Sequence, residues 1–281
     1  MNQPSNAAIG AVVSSYIAGE AVGALFQIAI RDILGRLRFM QLLCIIVTLG
    51  VSLQTGARDI GMLLAGRAIA GVGVGGLSGT IPVNLSEIAP PQNRGLIGGI
   101  SGVGYAFGNF LANWVGFACQ YAPYGATQWR LPLAIQIPWG VVLFIGLQTF
   151  MPHSPRELVK KGKIEDARVA FTRIRADMHD RDVQHEFANM QSQIEYEMRR
   201  KVPWGEMWKV YRRRILVAVS VQCLTSLTGV NVITYYQTQL YASLGIAYNT
   251  RLALTGVWAT LIVVANAISI RFLPDRMGRQ K

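Results

Sequence analysis

The sequence predicts an all-α, polytopic membrane protein, and its composition and patterning support that fold class. Hydrophobic residues make up 51% of the 281 residues, and charged residues make up 15%. Long apolar runs recur along the chain, and a membrane-spanning helix needs about 20 consecutive apolar residues. The runs lack the two-residue alternation of barrel strands, and backbone polar groups must be paired in lipid. The runs are therefore predicted to be transmembrane helices.

Seven apolar runs are long enough to be candidate transmembrane helices. The predicted spans are 7–30, 41–57, 61–83, 95–119, 131–150, 214–240 and 252–272. Their order predicts three parts along the chain. A bundle of five spans occupies 1–150, a helical linker domain occupies 151–213, and a bundle of two spans occupies 214–281.

The distribution of positive charge predicts how the chain is oriented in the bilayer. The net charge of +12 would also suit a nucleic-acid partner. However, 23 of the 27 Lys and Arg residues fall in segments that share the cytoplasmic side when the N-terminus is outside, which is the positive-inside pattern. We therefore predict a lipid bilayer, and no nucleic acid, as the environment of this chain. The linker 151–213 mixes acidic and basic residues and is predicted to form solvated helices on the cytoplasmic side.

Glycines spaced by four residues predict close helix packing. Gly71, Gly75 and Gly79 fall on one helix face, because residues four apart are neighbours on a helix. Small residues allow two membrane helices to approach closely. The overlapping G-x-G-x-x-G pattern is not interpreted as a dinucleotide site, because a helical segment and not a strand precedes it. The same spacing recurs in the next run as Gly95/Gly99, Gly98/Gly102 and Gly104/Gly108.

Charged residues cluster at four membrane boundaries, all on the predicted cytoplasmic side. An ionisable group inside a bilayer is costly, at about 2.5–3.5 kcal/mol on insertion scales, so each cluster is expected to contain partners. The residues alone leave two roles open, the anchoring of helix ends and a contact that switches between states. The turn D-x-x-G-R occurs twice, and the clusters are Asp32/Gly35/Arg36, Glu87/Arg94, Arg156, and Asp275/Gly278/Arg279.

Six sequence motifs occur in an order that resembles a known family. They are GRAIAGVGVGG, PVNLSEIAPPQNRG, WRLPLAIQIPWG, MPHSPREL, TGVNVITYYQ and PDRMGR. This series resembles the sugar porters of the major facilitator superfamily, and most of all their fungal members. The resemblance implies a fold of twelve helices in two pseudo-symmetric halves around a central cavity. It equates the seven runs with family helices two to eight, so a partial fold truncated at both ends is expected.

The resemblance also implies roles for individual residues. The boundary charges listed above would form a conformational switch that joins the two halves in one state and separates in the other. In the span that contains TGVNVITYYQ, amide side chains suit sugar hydroxyls because an amide both donates and accepts hydrogen bonds. Interhelical hydrogen bonding is the alternative role of such amides. The predicted substrate-binding residues are Gln222, Asn231, Tyr235 and Tyr236.

The chain departs from the family pattern at several of these positions. Thr225 and Ser226 stand where the family usually has paired glutamines, and Gly102 stands where its fifth helix usually has one. His153 replaces a common acidic residue before Arg156. The first family helix, which often supplies the acidic residue for proton coupling, has no counterpart among the seven runs. The resemblance therefore leaves proton symport and uniport open.

The predicted function is a sugar-porter-type carrier that moves a hexose or related polyol by alternating access, by uniport or proton symport. The alternatives are a truncated, transport-inactive protein that binds a partner or senses nutrients, and a seven-span receptor. Enzymatic activity is not predicted, because the sequence shows no nucleophile elbow or phosphate loop. Neither a cofactor nor a metal ion is expected. The predicted location is the plasma membrane, with the vacuolar membrane as the alternative.

Overall fold

The structure is a computed structural model, and every secondary-structure element in the part of the chain it describes is an α-helix. That part comprises residues 6–89, 94–123, 125–151, 154–174, 180–199 and 204–272. Its helices are α1 (Asn6–Leu34), α2 (Arg36–Thr55), α3 (Ile60–Ile88), α4 (Arg94–Cys119), α5 (Ala126–Ala134), α6 (Gln136–Thr149), α7 (Pro155–Lys160), α8 (Ile164–Ile174), α9 (Asp180–Arg199), α10 (Trp204–Leu227), α11 (Val230–Ser243) and α12 (Tyr248–Phe272). The predicted all-α fold is confirmed.

Six stretches within the described helices are long and apolar enough to cross a membrane. They lie in α1, α2, α3, α5 with α6, α10 with α11, and α12. The seventh predicted run, 95–119, forms α4, whose 26 residues would span about 39 Å at 1.5 Å per residue. Its many glycines and the amides Asn109 and Asn113 reduce its mean hydropathy below that of the other six.

The described chain divides into two compact units. The first comprises Met1–Glu157 with Leu252–Lys281, and the second comprises Leu158–Arg251. The first unit therefore contains α1 to α6 and most of α12. The predicted division into 1–150, 151–213 and 214–281 describes two membrane bundles and a linker, and it stays a prediction.

Helix α3 is the centre of the first unit and packs against α1 and α2. Its buried positions are mostly glycine, with Gly66, Gly71, Gly73, Gly75 and Gly76 among them. A helix with so few side chains at its contacts can lie unusually close to two neighbours at once. Close backbone packing therefore joins α1 to α3, while apolar side chains of α2, among them Leu43 and Val47, pack over the glycines of α3.

The contact between α1 and α3 is backbone against backbone. A Cβ added to Gly71 would lie 2.3 Å from the carbonyl oxygen of Tyr16, and one added to Gly75 would lie 2.1 Å from the carbonyl oxygen of Glu20. The arrangement is reciprocal, because a Cβ added to Gly23 of α1 would lie 2.1 Å from a carbonyl oxygen of α3. The packing role predicted for the glycines of α3 is confirmed.

The similar glycine spacing in α4 has a different outcome. A Cβ added to Gly99 would lie 3.0 Å from Ile270 of α12, and one added to Gly102 would lie 3.9 Å from Asn266 of the same helix. Glycines four residues apart lie on one helix face, but this spacing does not determine whether another helix packs against that face. No atom of the described residues lies within 4 Å of a Cβ added to Gly98, Gly104 or Gly108.

Helices α4 and α12 also meet through a tryptophan. The Nε1–H of Trp114 donates a hydrogen bond of 3.1 Å to Oγ1 of Thr260. One turn earlier on α12, Gly256 leaves room for the same indole ring, because a Cβ added there would lie 3.2 Å from Trp114. The half-buried indole therefore packs against α12 while its polar N–H stays paired.

In the second unit, α8 and α9 form a small apolar core. Phe171 of α8 and Phe187 of α9 are buried with ring centroids 5.6 Å apart. Ile194, two turns after Phe187, is fully buried in the same cluster. Both helices carry their charges on the opposite faces, as amphipathic helices do. The prediction of helices in the hydrophilic block 151–213 is confirmed.

The predicted run 214–240 is not one continuous helix. Helix α10 ends at Leu227 and α11 begins at Val230. Between them, Gly229 adopts φ 81° and ψ 2°, in the left-handed region that glycine enters at little cost. The span is therefore a discontinuous helix, because one glycine interrupts its hydrogen-bond ladder.

We predict that Gly75→Ala destabilises the chain by about 1–3 kcal/mol. The added methyl group meets a backbone carbonyl of α1, and a carbonyl cannot rotate away as a flexible side chain can. The matched control is Gly104→Ala, which adds the same methyl group to a helix position with no neighbour within 4 Å among the described residues. Thermal unfolding of the purified variants in detergent measures the difference. Equal unfolding temperatures for the two variants would show that the close contact is unimportant.

Candidate functional site

The turn between α1 and α2 depends on one glycine. Gly35 is buried and has φ 87° and ψ 151°, a backbone conformation that is essentially restricted to glycine. Its N–H donates to the carbonyl of Arg31 at 3.0 Å, and its own carbonyl accepts from the N–H of Phe39 at 2.9 Å. The glycine of the D-x-x-G-R motif therefore ends one helix and starts the next within a single residue, which places Arg36 in the first turn of α2.

An ion pair joins that arginine to the end of α3. The guanidinium of Arg36 contacts the carboxylate of Glu87, and the two side chains are 12% and 14% exposed. Mutual attraction is stronger there than at an open surface, because water screens the charges less. Removal of either partner leaves a poorly solvated charge behind.

Ser154 and Glu157, which follow α6 in the sequence, add two hydrogen bonds to this ion pair. The hydroxyl of Ser154 donates to Oε2 of Glu87 at 3.2 Å. The backbone N–H of Arg36 donates to Oε2 of Glu157 at 3.0 Å. A carboxylate at the first N–H groups of a helix also interacts favourably with the helix dipole, by about 0.3–1 kcal/mol. We call Arg36, Glu87, Ser154 and Glu157 the Arg36 cluster.

The Arg36 cluster brings together three segments that are distant in the sequence. The sequence predicted Arg36 and Glu87 as members, but it grouped Arg36 with Asp32 and Glu87 with Arg94. In the structure, Arg36 contacts Glu87, so members of two of these groups meet. Sequence reasoning did not select Ser154 and Glu157. The available signal was the order Ser-Pro followed by an acidic residue, which is typical of a helix start.

The other predicted switch residues are only partly described. Arg156 is half-buried in the first turn of α7, next to the Arg36 cluster in sequence. Asp32 lies in α1 and Arg94 begins α4, but their side chains lie outside the described residues. The second D-x-x-G-R turn, with Asp275, Gly278 and Arg279, lies wholly outside the described residues.

The predicted substrate-binding residues lie on both sides of the break in the discontinuous helix. Gln222 is exposed on α10 and Asn231 is exposed in the first turn of α11. Tyr235 is 42% exposed, and Tyr236 is half-buried. The next residue, Gln237, was not selected from the sequence, although it is buried and its Nε2 donates to the hydroxyl of Tyr241 at 2.9 Å.

The residues of the two groups suit different tasks. The Arg36 cluster contains opposite charges and charge-assisted hydrogen bonds, which form and break without covalent chemistry. The exposed amides of α10 and α11 present donors and acceptors, as recognition of hydroxyl groups requires. The six apolar helical stretches indicate an integral, multi-pass membrane protein.

The sequence profile of the family described as "Sugar (and other) transporter" matches residues 1–281. The chain belongs to this sugar transporter family. This family and its fold are those of transporters and not of enzymes. The resemblance predicted from the ordered motifs is confirmed.

Several curated fungal relatives match nearly the whole chain. It is 33% identical to "MFS-type transporter criB" of Aspergillus cristatus, with 99% of this chain and 60% of the relative covered. It is 30% identical to "Sugar transporter STL1" of Saccharomyces cerevisiae, with coverages of 97% and 49%. It is 29% identical to "High-affinity glucose transporter" of Kluyveromyces lactis, with coverages of 99% and 51%. The chain thus spans about half the length of the curated relatives it matches.

Solved structures show the same fold. The major facilitator proton:xylose symporter XylE, bound to 6-bromo-6-deoxy-D-glucose, matches with a TM-score of 0.82 and 20% identity. The match covers 96% of this chain and 59% of the symporter. At this identity the likeness concerns the fold. It confirms the predicted partial major facilitator fold.

We predict that the Arg36–Glu87 pair contributes a coupling energy on the order of 1–3 kcal/mol to stability, between the values for exposed and buried pairs. The measurement is a double-mutant cycle with Arg36→Ala, Glu87→Ala and the double variant, followed by reversible unfolding in mixed micelles. The exposed pair Lys163–Asp166, with side chains 64% and 67% exposed, is the control. Its coupling energy should be about 0.5 kcal/mol or less. Equal coupling energies for both pairs would contradict the prediction.

Proposed function

We propose that this protein is a sugar-porter-type carrier that moves a hexose or a related polyol across a membrane by alternating access. The single observation that carries the proposal is the match of the sugar transporter profile along residues 1–281. Relatives named as a sugar transporter and a glucose transporter favour a sugar over other solutes. A structural neighbour named as a proton:xylose symporter favours proton symport over uniport.

We propose that the Arg36 cluster is one part of the conformational switch of this carrier. Alternating access requires two states that differ by a few kcal/mol and contacts that exist in one state alone. A partly shielded ion pair with two supporting hydrogen bonds has a suitable strength for such a contact. We assign Asp32, Arg94, Arg156, Asp275, Gly278 and Arg279 to the same switch, on the cytoplasmic side, by their motifs alone.

We propose that Asn231 and Gln222 contact the substrate, and that Tyr235 and Tyr236 gate access to it. The amides of Asn231 and Gln222 are exposed near a break in a helix of the bundle. Backbone groups next to such a break lack some intrahelical partners, and they add further donors and acceptors for a sugar. We place the carrier in the plasma membrane.

The test of this function is uptake of radiolabelled D-glucose and D-xylose by cells that lack their own sugar carriers. Cells that produce the 281-residue chain should accumulate label above cells with the empty vector. Asn231→Ala should raise the apparent KM about twofold to tenfold, because one amide hydrogen bond to a hydroxyl is lost, which costs about 0.5–1.5 kcal/mol. Asn249→Ala, an exposed asparagine at the start of α12, should leave the apparent KM unchanged.

Two outcomes would count against this proposal. An unchanged apparent KM in Asn231→Ala would assign this residue to packing. Absence of uptake from a chain that reaches the membrane would favour a transport-inactive protein that senses nutrients or binds a partner.

The switch assignment predicts a split between binding and turnover. Arg36→Ala should lower the maximal uptake rate at least fivefold and leave the affinity for D-glucose nearly unchanged, because the variant destabilises one of the two access states and touches no substrate. The control is Arg38→Ala, an exposed arginine two residues further along α2. Initial uptake rates and equilibrium binding of labelled glucose provide the two readouts. Equal uptake rates in both variants would remove the Arg36 cluster from the switch.

A further inference from the structure

A carboxylate lies at the centre of α1. Glu20 is midway along the 29-residue helix Asn6–Leu34, within the stretch long and apolar enough to cross a membrane. Ionisable groups at this depth are expensive, face other protein groups, and are by default associated with ion or proton movement. The four charge clusters identified from the sequence lie at membrane boundaries, so none of them includes Glu20.

Glu20 lies in the α1–α3 contact, beside a tyrosine and an arginine. Tyr16, one turn earlier on α1, makes a side-chain hydrogen bond to Glu20. The guanidinium carbon of Arg67, on α3, lies 5.8 Å from the centre of the Tyr16 ring. Within the described residues, Nε of Arg67 is buried and has no hydrogen-bond partner. Tyr16 thus has a carboxylate of α1 on one side and a guanidinium of α3 near its ring.

The other helices packed against α1 contribute no further ionisable group at this level in the described part of the chain. Arg67 is the charged side chain of α3 near Tyr16. On α2, Arg36 and Arg38 lie in the first two turns, near the Arg36 cluster. Cys44 of α2 packs in an apolar cluster with Leu147 of α6. Tyr16 is therefore the polar side chain that the described residues place in contact with the Glu20 carboxylate.

Polar groups continue along the same face of α1. Gln27 is two helical turns after Glu20, so both lie on one face. Oγ1 of Thr80 on α3 donates to Oε1 of Gln27 at 3.2 Å. The Gln27 amide lies directly against Gly79 of α3, since a Cβ added to that glycine would overlap the amide. The α1–α3 contact thus contains a polar line within a span that is otherwise apolar.

Structural roles alone do not account for a carboxylate at this position. The glycines already bring the two backbones into contact, and a neutral glutamine could accept the same hydrogen bond from Tyr16. A carboxylate differs from an amide in its ability to bind and release a proton. The hydrogen bond from Tyr16 favours the ionised form, and the apolar surroundings favour the protonated form.

We propose that Glu20 is the proton-binding carboxylate of this carrier, with Tyr16 as its hydrogen-bond partner. The carboxylate accepts a proton from hydronium on one side of the membrane, which leaves water and a neutral carboxylic acid. It returns the proton to water on the other side and becomes a carboxylate again. No bond other than O–H forms or breaks. This assignment deepens the proposed function and names its coupled ion.

The first test does not depend on transport. Infrared difference spectra of the purified chain in lipid nanodiscs, recorded between high and low pH, should contain the C=O stretching band of a protonated carboxyl group. Glu20→Gln should remove that band, and Glu20→Asp should restore it at a shifted frequency. Tyr16→Phe should move the band, because the hydrogen bond to the carboxyl group is lost.

The control carboxylate is Glu195 on α9. It has the same local geometry, because Gln191, one turn earlier, donates to its Oε1 at 3.1 Å, but it is exposed in the second unit. Glu195→Gln should remove only a solvent-exposed carboxyl signal and leave the Glu20 band intact. A Glu20→Gln spectrum identical to that of the wild type across the titrated range would overturn the proposal. If the C=O band remains at the wild-type frequency in Glu20→Asp, the band belongs to another carboxyl group, and the proposal is likewise overturned.

The second test separates proton coupling from transport as such. In proteoliposomes, Glu20→Gln should reduce accumulation of labelled D-glucose driven by a pH gradient at least tenfold. Exchange of labelled for unlabelled glucose, which needs no net proton movement, should fall less than twofold. Equal losses in both assays would overturn the coupling role. Absence of exchange in the wild type would count against the proposed function, while the infrared result would still decide whether Glu20 binds a proton.

Discussion

The first unit depends on the contact between α1 and α3, in which the backbones of the two helices touch. At Gly71 and Gly75 no side chain fits between the two helices. A polar side chain on either helix therefore meets its partners at the edge of the α1–α3 contact. Tyr16, Glu20 and Arg67 are neighbours for this reason. The same contact fixes the end of α3 relative to the end of α1. The Arg36 cluster can form only because Glu87 is held within reach of the turn at Gly35.

The Arg36 cluster and the Glu20 group use charge in opposite ways. The cluster lies at a helix terminus, where an ion pair, a hydroxyl and backbone N–H groups satisfy one another. Charges arranged in this way favour one conformation and are released together when it is lost. Glu20 lies midway along an apolar span and is hydrogen-bonded to Tyr16. A carboxyl group in apolar surroundings responds to protonation more readily than one that is held in an ion pair.

The sequence predicted the fold class, the family and the placement of most helices, because apolar runs and ordered motifs are local features. It did not state that Arg36 contacts Glu87 directly, because the turn geometry at Gly35 decides where the Arg36 side chain lies. It also treated the glycines of α3 and α4 alike. The glycines of α3 have a helix against them, while Gly98 and Gly104 have none in the described residues. Periodicity indicates which face a residue occupies, and tertiary contacts decide what that face meets.

The break at Gly229 has a mechanical consequence. A continuous helix resists bending because every turn is bonded to the next, but α10 and α11 share no such bond across the glycine. Each segment can tilt as a separate rod about a single residue, and its internal hydrogen bonds stay intact. The 24-residue and 14-residue rods therefore form a lever with its pivot beside Asn231. A small rotation at the pivot would displace the far ends by several times the movement of the amide itself.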